Sequence, residues 1–231
     1  MMRTHLVRLA LGGLAATTLA IVPTAAQAAA PALTIESGGS VGGDPDCTSA
    51  SFDGKAKSAP ANKAAAFDYK DTVTTAATAD STDKVKGKAT VEAKAKVITK
   101  RKSLASAWLT LHATASATTT KGSATQCEGS SVDWAVASSM NFKLRKPGVL
   151  MGKLMSSQSG TGICQAVIDG PATWQALVGS GFLLSKPSLS IKLKAPEGAY
   201  IAVVFCQMSA GGESKPTAVT DLDFTVSYAK N

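Results

Sequence analysis

The sequence predicts an all-β protein: an antiparallel β-sandwich, jelly-roll-like, with a long β-hairpin, behind an N-terminal signal peptide. Three observations carry this. Residues 84 to 97 alternate strictly between lysine-rich and small apolar positions. Residues 105 to 118 repeat the alternation after a short polar link. The second half is a series of short alternating segments, punctuated by Gly and Pro, with no convincing helix.

Arg3 and Arg8 form a basic start, and Leu9 to Val22 is an apolar run of signal-peptide length. Pro23 breaks the run, and Ala26-Gln27-Ala28 offers small residues at a cleavage site. Residues 1–28 are therefore assigned as signal peptide. The run is too short and too rich in Ala and Gly for a membrane span, and no later run or C-terminal anchor is expected. The mature protein is expected to be secreted and extracellular.

Residues 29–65 are rich in Gly, Ala and Ser. They are expected to form a loosely packed leader with one short strand at "ALTIES". Residues 66–231 are assigned as the β-sandwich domain.

Within the hairpin, Val85, Gly87, Ala89, Val91, Ala93, Ala95 and Val97 share one parity. Lys84, Lys86, Lys88, Thr90, Glu92, Lys94 and Lys96 share the other. A helix would spread the lysines over both faces, whereas a strand collects them on one. In the second arm, Ala107, Leu109, Leu111 and Ala113 oppose Trp108, Thr110, His112 and Thr114. "TKRKS" reads as the turn.

Further along, Val132, Trp134, Val136, Met140, Phe142 and Leu144 mark a core-facing strand. "TWQALVG" is of uncertain type. "AYIAVVFC" is apolar on both parities, which places it in a sheet centre. "SLSIKLKAPEGAYIAVVFCQM" and the later "DLDFTVSY" resemble the end of small secreted bacterial sandwich modules. Pre-peptidase C-terminal domains and many carbohydrate-binding modules use such a Pro-x-Gly turn, here Pro196-Glu197-Gly198, followed by an aromatic, here Tyr200. The resemblance covers about 40 residues. It implies a fold neighbourhood and an accessory role, and no site residues.

Cys47, Cys127, Cys164 and Cys206 are read as two disulfides. Cys164 is expected to pair with Cys206, since both lie in strands of the second half. Cys47 then pairs with Cys127. No C-x-x-C is present, and neither a metal nor a cofactor is expected.

The chain carries +8, and removing Arg3 and Arg8 leaves +6. Residues 84 to 102 alone carry eight basic groups and one glutamate, a net +7. Lys84, Lys86, Lys88, Lys94, Lys96, Lys100, Arg101 and Lys102 are therefore the candidate anion-binding residues. Lysines on a strand also discourage edge-to-edge pairing, so a solubility and edge-protection role stands beside binding. Aromatic interleaving is missing, which disfavours nucleic acid. Trp108, with Thr110 and His112, is a candidate carbohydrate platform.

Beyond the signal peptide, His112 is the sole histidine, and no G-x-S-x-G appears. The pairs Asp44/Asp46 and Asp221/Asp223 fall short of a calcium loop. The reading is thus a non-catalytic surface-binding or structural protein. Its partner would be an anionic cell-wall polymer or carbohydrate. A secreted inhibitor or effector acting on a protein is the alternative, and an extracellular hydrolase the third.

Overall fold

The structure is a computed structural model that describes residues 31–44, 49–76, 83–120, 129–180, 188–212 and 215–230. The signal-peptide assignment and the Cys47–Cys127 pairing fall outside these residues.

Twelve strands are present among the described residues. They are β1 (Leu33–Asp44), β2 (Ala50–Ala59), β3 (Ala64–Thr74), β4 (Lys84–Lys100), β5 (Ser103–Thr120) and β6 (Gly129–Leu144). Then follow β7 (Gly148–Ser159), β8 (Thr161–Asp169), β9 (Trp174–Ser180), β10 (Ser188–Ala195), β11 (Gly198–Gly212) and β12 (Thr217–Lys230). They build two six-stranded sheets, β2-β1-β6-β11-β8-β9 and β10-β7-β12-β5-β4-β3. Every neighbouring pair is antiparallel. The sheets pack face to face, with β1 over β4, β6 over β5, and β11 over β12.

The Gly- and Ser-rich stretch after residue 31 is not a loose leader with one short strand. It supplies β1 and β2, and β1 lies inside the first sheet between β2 and β6. Leu33, Ile35 and Val41 fill the interior, and Phe52 of β2 joins them. The glycines of β1 permit close packing: a Cβ on Gly39 would lie 2.2 Å from the Asp133 carbonyl oxygen. "TWQALVG" forms β9 at the sheet edge.

β4 and β5 send mostly small side chains inward, including Ala89, Ala93, Ala95, Ala113, Ala115 and Ala117. A sheet needs bulk opposite such a surface to reach native packing density. The facing strands supply it through Ile35, Val41, Trp134, Met140 and Leu144, all fully buried. Phe52 meets Trp134 edge-on at 5.0 Å, and Tyr69 stacks on Trp134 at 5.3 Å. The Tyr69 hydroxyl lies 2.8 Å from Asp71 Oδ2 and 2.8 Å from the Asp53 carbonyl oxygen. Burial and the hydrogen bond to Asp71 push the phenol upward, and the same bond lowers the Asp71 carboxyl.

Cys164 and Cys206 form a disulfide between directly opposed residues of β8 and β11, with Cα atoms 4.1 Å apart. Both are fully buried between the sheets. Gln158 Nε2 of β7 reaches Cys164 Sγ at 3.1 Å from the facing sheet. β11 lies at a sheet centre, with Tyr200, Ala202, Val204 and Met208 inward. The Tyr200 hydroxyl donates to the Pro196 carbonyl at 2.9 Å, closing the turn that precedes its own strand. The Tyr228 hydroxyl reaches the Lys146 carbonyl at 2.9 Å and ties β12 to the β6–β7 turn.

Candidate functional site

The candidate surface is the outer face of the second sheet. β4 is 17 residues long, and its burial alternates at almost every position from Lys84 to Val97. Lys84, Lys86, Lys88 and Lys94 are exposed, and Lys96 is half-buried. All five are on the face opposite Val85, Ala89, Val91, Ala93 and Ala95, which are buried. At ~3.4 Å per residue, Lys84 to Lys96 spans about 40 Å.

The neighbouring strand supplies hydroxyls. In the β4–β5 register, Lys84 faces Thr120, Lys86 faces Thr118, Lys88 faces Ser116 and Lys94 faces Thr110. Thr90 and Thr114 are hydrogen-bonded through their hydroxyls. Lys96 faces Trp108, which is half-buried, and Trp108 faces Thr225 of β12. Trp108 therefore has a lysine on one side and a threonine on the other. Lys153 of β7 lies beyond Thr225.

A row of titratable groups crosses this face. Asp68 of β3, Glu92 of β4, His112 of β5 and Asp221 of β12 are successive cross-strand partners. His112 Nδ1 lies 2.6 Å from Asp221 Oδ1, and both side chains are exposed. The row divides the lysines into Lys84, Lys86 and Lys88 on one side and Lys94 and Lys96 on the other. Single-sequence reasoning has no route to it, because Asp221 is 109 residues from His112. The strand residues of the whole face carry nine lysines against four carboxylates, a net +5.

Lys100, Arg101 and Lys102 are exposed at the hairpin tip. Arg101 and Lys102 both have positive φ, 50° and 61°. Such a turn matches the twist of the strands but prefers Asn and Gly. Beside it, Thr99 is held by the Asn62 side chain of the β2–β3 connection, through bonds of 2.8 and 3.0 Å.

The edge-protection role expected for the β4 lysines does not hold. β4 is hydrogen-bonded to β3 on one side and β5 on the other, so its lysines guard no edge.

The opposite surface has another character. The outward residues of β11 include Ile201, Val203 and Phe205, half-buried beside Val167 of β8, with Ile163 and Leu177 more exposed. Charge is thus concentrated on one of the two broad surfaces. Among the described residues, no group of three or more His, Cys, Asp or Glu side chains could hold a metal. No helix there is long and apolar enough to cross a membrane.

No family model, no curated protein and no solved structure matches this chain.

Proposed function

We propose that this is an exported, non-catalytic binding protein that holds an anionic polymer, of cell-surface or polysaccharide type, against the outer face of its second sheet. The observation that supports this best is the lysine row on β4, set beside a row of hydroxyls on β5. Lysines at alternate positions are ~6.8 Å apart, and each neighbouring pair repels by about 0.6 kcal/mol in water before screening. A row inside the sheet gains nothing from edge protection to offset this. A polyanion lying along the strand would neutralise it. Hydroxyls from Thr110, Ser116, Thr118 and Thr120 would supply neutral hydrogen bonds, and Trp108 a ring for a sugar to stack on.

The test is adsorption of the purified protein to isolated cell wall, insoluble polysaccharides and anionic liposomes across a salt series. Binding should fall steeply as salt rises. Lys84, Lys86, Lys88, Lys94 and Lys96 changed together to Gln should lose it while unfolding at the parent temperature. Trp108→Ala should weaken only carbohydrate supports. No adsorption at low ionic strength would sink the proposal and leave the row as a solubility device.

A further inference from the structure

One end of the lysine face is concave. Lys86, Lys88, Ser116, Thr118, Thr120 and Lys215 line an open depression of about 210 Å³. From it we infer a seat for a tetrahedral oxyanion, a phosphoryl or sulfuryl group carried on the ligand, in preference to a carboxylate. This rests on the polymer-binding reading above and narrows it to phosphorylated or sulfated chains.

The three ammonium groups come from two separate parts of the chain. Lys86 and Lys88 are alternate residues of β4 and point the same way. Lys215 arrives from a different part of the chain, just before β12. Its backbone is anchored: the Ala117 N–H donates to the Pro216 carbonyl at 3.0 Å, and the Thr217 hydroxyl donates to the Lys215 carbonyl at 3.5 Å. Thr217 is in turn the register partner of Ser116. A third cation is therefore delivered to the side of β5 away from β4. The hydroxyls of Ser116, Thr118 and Thr120 lie between the two sources of charge.

Among the described residues, no carboxylate lines this space. Among the described residues, none of the three lysines makes an ion pair. The face's own carboxylate on this strand, Glu92, is four residues beyond Lys88, about 14 Å along the strand. Elsewhere on the face the carboxylates of the transverse row sit between the cations. At this end they do not.

Charge and shape then select the ligand group. A carboxylate and a sulfate ester each bring one negative charge and leave two of three ammonium groups unmatched, so a sulfuryl group is preferred only for its three acceptor oxygens against a carboxylate's two. A terminal phosphate brings −1.5 to −2 and three strong acceptor oxygens. Those oxygens point in different directions, as do ammonium groups converging from β4 and from the approach to β12. Lysine is suited to this role as a mobile point charge with three donors. Because the depression is open, the group can remain attached to a longer chain that continues along β4.

The experiment uses the full chain and inorganic phosphate, sulfate and acetate as probes, titrated at constant ionic strength with amide NMR readout. Phosphate and sulfate should shift the signals of Lys86, Lys88, Ser116 and Thr118, and acetate should not. Lys86→Gln and Lys215→Gln, both at exposed positions, should each weaken phosphate binding by about two- to fivefold. Lys143→Gln, exposed on the other sheet, should leave it unchanged. Identical responses to all three anions, or full phosphate binding in the Lys86→Gln/Lys215→Gln variant, would overturn the seat. The two readings fail separately. Adsorption of polygalacturonate equal to that of polyphosphate and dextran sulfate would refute the seat and leave polymer binding standing. Phosphate binding at the depression without adsorption of any polymer would support the seat and refute the proposed function.

Discussion

Replacing Cys164 and Cys206 together by alanine should cost the protein a large share of its stability. The bridge joins residues 42 apart in sequence. In the chain-entropy description, cross-linking a loop of that length removes about 4 kcal/mol of freedom from the unfolded ensemble. Domains of this kind hold about 5–15 kcal/mol in total. The native state offers little to offset the loss, since the two residues stay opposed by the β8–β11 register with or without the bond. The assay is urea unfolding of the oxidised parent and the double alanine variant. The midpoint should fall, and the slope should rise because the unlinked chain exposes more surface. Dithiothreitol should also act on the parent only as fast as the protein opens, because both sulfurs are enclosed between the sheets. A variant within about 1 kcal/mol of the parent would refute the argument. It would mean that the unfolded chain is already restricted between these two points.

Two further outcomes follow from close contacts and from backbone geometry. Gly87→Val should destabilise by about 1–3 kcal/mol, because even a Cβ there would lie 2.8 Å from Phe52 and from Val41; thermal unfolding reads the loss, and tryptophan fluorescence reads the displacement of Phe52 from Trp134. Arg101→Asn with Lys102→Gly should stabilise by about 1 kcal/mol, since both positions hold left-handed backbone that these residues adopt more readily; a lower melting temperature would show that the basic tip makes contacts that outweigh its strain.

The strands that sequence reveals most plainly are those with one wet face. Lysine against Ala and Val in β4, and Thr against Leu and Ala in β5, differ enough in polarity for the period to be read directly. β11 is legible for the opposite reason, as an apolar run too short for a membrane and too branched for a helix. β1 and β2 are opaque because Gly and Ser carry little polarity contrast, and their place in the sheet depends on space left by Trp134 and Phe52. The alanine surfaces of β4 and β5 look underpowered until the bulk of the facing sheet is known. The candidate site divides in the same way. Positions along one strand follow from parity. The transverse Asp68–Glu92–His112–Asp221 row, the position of Trp108 between Lys96 and Thr225, and the approach of Lys215 depend on register between distant segments. That the lysines are interior to their sheet also follows from strand order alone.

The order of strands has a consequence for how the sandwich frays. Its four margins are β2 and β9 in one sheet, β3 and β10 in the other. β2 runs on to β3, and β9 is followed in the chain by β10. Each side seam of the sandwich is therefore laced by the polypeptide itself, and neither pair of margins can drift apart further than one connection allows. Three margins also bear charge: Lys55 and Lys57 on β2, Asp68 and Lys70 on β3, Lys192 and Lys194 on β10. β9 bears none, and Leu177 is exposed on it. Charge deters a second molecule from adding a strand at these three borders, by repulsion between like copies at the lysine-only β10 and by the cost of burying charged side chains at β2 and β3. Among the described residues, only the shortness of the strand stands in the way at β9, so sheet-to-sheet growth between molecules would begin there.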